Sequence, residues 1–190
     1  MTRPATRVVI LAELGVCAAL AAVLSLVRVK LPHLLYGGSV SLHLVPLFAV
    51  ALRRGTRAGM AAGAAYGLLN FLITPFFVHP LQVVLDYPVA FGAVGLAGLP
   101  RALGPQRLVP AALAGVLLGS AGRLVAHFLS GVVYFSHLAP AGSPAWVYSL
   151  VYNASYVVPE TVLCLALVPL LVLRLGSATA AEAAGERSPS

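Results

Sequence analysis

Only five acids occur in this 190-residue chain, and one of them, Asp86, interrupts the apolar run PLQVVLDYPVAFGAVGLAGL from Pro80 to Leu99. Placing a charged Asp at the centre of a membrane helix costs about 2.5–3.5 kcal/mol, so such residues face a bundle interior or a cavity. Other chemistry-bearing side chains recur at helical spacing. Tyr66 and Asn70 stand four apart, with Phe76 and Phe77 just beyond. Arg123, His127, Ser130, Gly131 and Tyr134 form one stripe, and Ser149, Asn153, Tyr156 and Glu160 form another, with Tyr148 and Tyr152 adjoining. Residues three and four apart share a helix face. A carboxylate ringed by Tyr and Phe suits an organic cation, through charge, hydrogen bonds and cation–π contact.

The same residues admit plainer roles. Any single Tyr near a span end fits an interfacial belt, and Asn153 or His127 alone fits an interhelical hydrogen bond. Asp86 and Arg123 could form a structural ion pair. Glu13 reads as a residue near the inner interface, and Glu160, directly after Pro159, as a group meeting backbone freed by a kink. A remote alternative is an intramembrane hydrolase built from His127, Ser130 and Asp86. Against it, the chain has no GxSxG elbow, and His127 and Ser130 are only three apart on one helix.

The elements that must position these groups follow from composition. Residues are 60% hydrophobic and 9% charged, with a mean hydropathy of +0.96, far from the usual quarter charged of a soluble domain. Several stretches reach the roughly 20 residues that cross about 30 Å of hydrocarbon as helix, and none alternates like a barrel strand. The expected fold is an all-α integral membrane protein with six transmembrane helices, near Val8–Val27, Ser41–Leu52, Arg57–Ile73, Pro80–Leu99, Val109–Phe135 and Trp146–Leu173. The second is short for a span, which leaves a tilted helix or an extension into part of Gly37–Ser39. Residues 1–175 form the membrane domain, the first segment is a retained helix, and the polar tail 176–190 is expected to be disordered.

The net charge of +7 falls in short loops between spans, which points to topology and not to a nucleic-acid partner. Nine of the twelve Lys and Arg residues lie on one side of a six-span arrangement, the exceptions being Arg28, Lys30 and Arg123. By the excess of positive charge in cytoplasmic loops, both termini are cytoplasmic. Asp86 then sits six residues, or about 9 Å, from the outer end of its helix. Cys17 and Cys164 lack metal or redox spacing and read as packing residues.

The ordered segments GGSVSLHLVPLFAVALRRG (Gly37–Gly55), LQVVLDYPVAFGAVGLAGL (Leu81–Leu99), HFLSGVVYF (His127–Phe135) and YSLVYNASY (Tyr148–Tyr156) together resemble the thiamine-specific substrate-binding subunit of energy-coupling-factor vitamin transporters. The resemblance spans nearly all of the six-helix region. It implies an S component of the bacterial cell membrane, which binds thiamine from outside and works with a transmembrane coupling protein and two ATPase subunits. It implies no cofactor and no metal, with ATP used only by the partners. The chain has no GxxxxGK[ST] phosphate loop of its own.

Carried over by motif, the resemblance assigns ligand contacts to Asp86 and Tyr87, to His127 with Gly131 in the same motif, and to Tyr148 and Asn153. Tyr66, Phe135 and Tyr36 stand where some relatives have tryptophan. On the first helix, Gly15, Ala18, Ala19 and Ala22 give small residues four apart, a face that in the family docks the coupling subunit and that equally suits packing within the monomer. The chain departs from the family in having a single tryptophan, Trp146. Tyr and Phe are weaker cation–π partners than Trp, and Asp86 is a methylene shorter than the Glu of some relatives. A thiamine precursor or its pyrimidine moiety is therefore an alternative ligand. Another vitamin without a fixed cation would leave Asp86 without its complement.

Overall fold

The computed structural model describes residues 4–34 and 37–185. Six membrane helices follow one another: α1 (Pro4–Leu26), α2 (Leu44–Arg54), α3 (Thr56–Ile73), α4 (Pro80–Leu103), α5 (Leu108–Tyr134) and α6 (Ala145–Gly185). The stretches Arg7–Leu26, Pro80–Leu103, Leu108–Tyr134 and Ala145–Arg174 are long and apolar enough to cross a membrane. At 1.5 Å per residue, α3 is about 27 Å long, whereas the 11 residues of α2 reach only about 16 Å. Helix α6 continues past residue 175 as far as Gly185, and residues 186–190 lie outside the described part.

The second span does not extend backwards into Gly37–Ser41 as a helix. Val40 and Ser41 form β2 of a small antiparallel pair with β1 (Arg28–Val29), in which Arg28 faces Ser41. Gly37 and Gly38 turn the chain at φ 109° and 87°, conformations closed to a helix. At Gly38 a Cβ would also lie 2.6 Å from the Tyr156 ring. Irregular backbone at membrane depth must be satisfied by protein. Here the Ser41 N–H donates to Glu160 Oε1 at 3.0 Å.

Helix α4 is not one regular helix. It is α-helical over Pro80–Val84, widens to a π turn over Leu85–Val89, returns to α over Ala90–Ala93 and tightens to 3₁₀ over Val94–Leu103. Pro88 has no N–H and its ring clashes with the preceding turn, so the helix accommodates it by widening. Asp86 sits inside that turn.

Glycines hold α4 on two sides. On α3, a Cβ at Gly59 would lie 2.9 Å from Gly95 Cα, one at Gly63 would lie 2.8 Å from the Phe91 carbonyl carbon, and one at Gly67 would lie 2.6 Å from that of Tyr87. On α5, a Cβ at Gly119 would lie 2.7 Å from the Val94 carbonyl oxygen, and one at Gly115 would meet Ala97. This four-residue repeat of glycine lets backbones pack against each other without side chains between them. The core lies around α2, whose Leu47, Phe48, Val50 and Ala51 pack with Val94, Val116, Cys164 and Val168. Cys17 and Cys164 are both unpaired thiols, the latter buried in this core.

On α1 the small residues divide. Ala18, 2% exposed, belongs to the core with Ala21, and Ala22 packs against it; Gly15 and Ala19 face outward. Ala18 is thus a packing residue of the monomer and not part of an open docking face. Glu13 does more than sit near an interface, since it pairs with Arg53 at 3.0 Å and Arg54 at 2.5 Å, tying α1 to the end of α2.

Candidate ligand-binding site

A cavity of about 430 Å³ opens between the helices, within the range of small-molecule sites. Its floor includes the buried His43, Arg123 and Ser130, and its rim the exposed Lys30, Gly37 and Pro75. Of the residues expected at a ligand site, Asp86, Tyr87, His127, Gly131, Tyr148, Asn153, Tyr66 and Phe135 all line this one space. Tyr36 lies outside the described residues. Trp146 is 56% exposed and is not among the lining residues, so the walls described are Tyr and Phe.

Asp86 reaches the cavity from the π turn and is held from two sides. Gln82, one turn earlier, donates Nε2–H to Asp86 Oδ2 at 2.7 Å, and His127 Nδ1 lies 3.2 Å from Oδ1. Gln82 is itself fixed, because its Oε1 accepts from the Val78 N–H at 3.1 Å. Its position four residues before Asp86 in an apolar run was the sequence signal for this partner. A neutral imidazole that donates from Nδ1 keeps Nε2 as an acceptor. His127 Nε2 is buried with no partner among the described residues.

Several of the other residues are engaged in holding the frame. The Tyr87 hydroxyl accepts from the Phe76 N–H at 3.0 Å and donates to the Thr74 carbonyl at 3.1 Å, fastening the α3–α4 loop. Phe76 thereby stacks with Phe135 at 5.9 Å. Asn153 Nδ2 donates to the carbonyls of Ser149 (2.9 Å) and His127 (3.3 Å), and its Oδ1 accepts from the Tyr156 hydroxyl at 2.7 Å. Gly131 makes room for Ser149, which a Cβ would meet at 2.9 Å from its own Cβ. Tyr66, 1% exposed, stacks on His43 at 5.2 Å and meets Phe91 edge-on at 4.7 Å. Tyr148 and Tyr152 lie side by side at 5.8 Å.

Arg123 is ion-paired with Glu160 and is not within ion-pair distance of Asp86. Its guanidinium also lies over the rings of Phe91 (5.0 Å) and Tyr156 (5.6 Å). Glu160, 0% exposed, accepts from Arg123 and from the Ser41 N–H, and lies 3.5 Å from His43 Nδ1. It does not repair backbone freed by Pro159. A proline frees a carbonyl, and an ionised carboxylate has no proton to donate to one. His43 escaped the sequence reading because nothing in its spacing ties it to the stripes on α5 and α6.

The result is a cavity with one carboxylate not engaged by a fixed cation, a neutralised ion pair on its floor, and rings around both. The hydrolytic arrangement is not made: Asp86 and His127 touch, but Ser130 Oγ has no hydrogen-bond partner among the described residues.

A helical membrane bundle enclosing an aromatic cavity with one buried-side carboxylate is the architecture of a solute-binding membrane protein. Residues 11–179 match the family described as thiamine transporter protein, and the chain belongs to that family. It is 36% identical to the thiamine transporter ThiT of Bacillus subtilis over 174 residues, covering 86% of this chain and 90% of that one. With ThiT of Lacticaseibacillus paracasei it shares 32% identity over 180 residues, covering 87% and 88%. The solved structure of ThiT from Listeria monocytogenes superposes with a TM-score of 0.79 at 26% identity, covering 89% of this chain and 96% of the other. The family is one of transporters and not of hydrolases.

Proposed function

We propose that this chain is a thiamine-binding subunit for vitamin uptake, in which Asp86 holds the ligand's positive charge and His127, Asn153, Tyr148 and Tyr66 complete the site. The observation that carries this reading is Asp86 itself, a carboxylate in an open cavity lined by Tyr and Phe, with Gln82 and His127 as its partners and no Lys or Arg among the described residues paired to it. A fixed thiazolium cation supplies the missing charge and can lie over Tyr and Phe rings. The aminopyrimidine supplies the amine donor that an unprotonated His127 Nε2 accepts.

Transport against a gradient requires energy from other proteins, and the reading includes a transmembrane coupling protein with two ATPases. Gly15 and Ala19 are the outward small residues of α1 where a partner helix could approach closely. The reading has both termini on the cytoplasmic side, which the basic residues in the loops support.

Equilibrium binding of labelled thiamine to the purified protein tests the assignment. Saturable binding is expected, and Asp86→Asn should weaken it about 30-fold or more, as for truncation of a buried charge pair. Competition by the isolated aminopyrimidine at equal strength would shift the assignment to a precursor. Wild-type protein that binds neither compound would sink the reading.

A further inference from the structure

Gln82, on the first turn of α4, is 1% exposed although the end of its side chain is polar. Burying an amide is unfavourable unless its hydrogen bonds are made. Here both of its polar atoms are engaged: Nε2–H donates to Asp86 Oδ2 at 2.7 Å, and Oε1 accepts from the Val78 N–H at 3.1 Å. These partners dictate which way round the amide sits, since a backbone N–H can only donate and an ionised carboxylate can only accept. Gln82 thus ties the carboxylate to the backbone of the α3–α4 loop, which the Tyr87 hydroxyl fastens from the next residue of α4. Of the straight side chains of similar length, only the amide anchors Asp86 without altering its charge. Lysine or arginine at this position would anchor the carboxylate and cancel it. Glutamate would oppose it with a like charge, and methionine would leave Oδ2 and the Val78 N–H without this partner.

We infer that Gln82 is a positioning residue for charge recognition, a neutral clamp that fixes where the Asp86 charge sits and so favours a cationic ring over a neutral ring of the same shape. The inference rests on the function proposed above. An ionised carboxylate offers about four acceptor sites. Gln82 uses one on Oδ2 and His127 faces Oδ1, so each oxygen keeps capacity for a ligand in the cavity that all three residues line. An Asp side chain free to turn would have to be ordered as the ligand binds. Held by Gln82, which is held in turn by the Val78 backbone, it is ordered beforehand, and the affinity gained in this way is a gain of preorganisation. The effect of Gln82 on binding therefore passes through the charge of Asp86, and it should vanish when either that charge or the ligand's is removed.

The test measures equilibrium binding of thiamine and of its thiophene isostere, in which a neutral ring replaces the thiazolium, to wild-type protein, Gln82→Met, Asp86→Asn and the double variant. Gln82→Met keeps the length of the side chain and removes both hydrogen bonds. It should weaken thiamine about tenfold, as for a lost hydrogen bond to a charged group, and the isostere by less than about threefold. In the Asp86→Asn background the same substitution should weaken thiamine by less than about threefold, because residues that act through one another are not additive. A loss equal for the two ligands, or equal in the two backgrounds, makes Gln82 a packing residue only and overturns the inference, while thiamine binding and its dependence on Asp86 stand. Unchanged thiamine affinity in Gln82→Met overturns it as well. Where Gln82→Met does not fold, Gln82→Lys replaces it, keeping a donor to Asp86 and cancelling the charge: thiamine should fall at least tenfold with the isostere within about threefold, and an equal fall in both overturns the inference. Wild-type protein that binds neither compound refutes the parent reading and this one together.

Discussion

Arg123 pairs with Glu160 across the α5–α6 interface, and Asp86 is thereby left to His127 and Gln82. Had Arg123 paired with Asp86, a cationic ligand would have to displace a guanidinium to reach the carboxylate. Glu160 settles that competition and, through the Ser41 N–H, also secures the backbone leading into α2.

Removing Glu160 should therefore be costly. Glu160→Ala leaves Arg123 buried without its counter-ion and Ser41 N–H without an acceptor. Breaking a buried pair from one side costs about 3–5 kcal/mol, and the thermal unfolding temperature in detergent should fall accordingly. The double variant Arg123→Met/Glu160→Leu should recover most of the loss. A Glu160→Ala protein that melts with the wild type would remove the structural role given to this pair.

The glycine contacts make a second prediction. Gly67→Ala places a methyl 2.6 Å from the Tyr87 carbonyl carbon and 3.0 Å from Pro88 N, and Gly63→Ala meets Phe91 in the same way. Overpacking of this kind costs about 1–3 kcal/mol, and at Gly67 it pushes on the turn that carries Asp86. Both variants should lose stability, and Gly67→Ala should lose ligand affinity as well. Gly15→Ala, with nothing within 4 Å of the new methyl, should melt within about 0.5 kcal/mol of the wild type, as exposed substitutions do. Equal melting curves for all three variants would show that α3 and α4 do not depend on this close approach.

Tyr87→Phe separates the ring from the hydroxyl. It keeps the packing on Phe71 at 5.0 Å and removes both hydrogen bonds to the α3–α4 loop. At about 0.5–1.5 kcal/mol for each bond, the loop bearing Phe76 should loosen. Stopped-flow displacement should show thiamine leaving about five- to tenfold faster, with little change in association. Unchanged dissociation would mean that the loop does not retain the ligand.

The sequence makes the spans legible because hydropathy is a collective property of some twenty residues, and it makes Asp86 legible because a lone carboxylate in such a run is expensive. The stripes on α5 and α6 point inward for the same reason. Pairing was not legible in this way: Glu160 and Arg123 are 37 residues apart, and their contact depends on how two helices are rotated about their axes. The Pro88 turn was visible as a proline but not as a widening, since a kink, a break and a π turn begin from the same residue. The repeat Gly59, Gly63, Gly67 is as plain in the sequence as the small residues of α1. Its meaning lies in the carbonyls of α4 that it admits, which no single helix reveals.

The brevity of α2 bears on what a charged solute would meet on its way into the bundle. Where a full-length helix would fill the bilayer from face to face, this chain has about 16 Å of helix and a polar hairpin ending in the cavity. A cation entering there meets tyrosine hydroxyls and the Asp86 carboxylate, oxygen acceptors each able to replace part of its water shell. Dehydration is divided into small steps, and no single step confronts the ion with bare hydrocarbon.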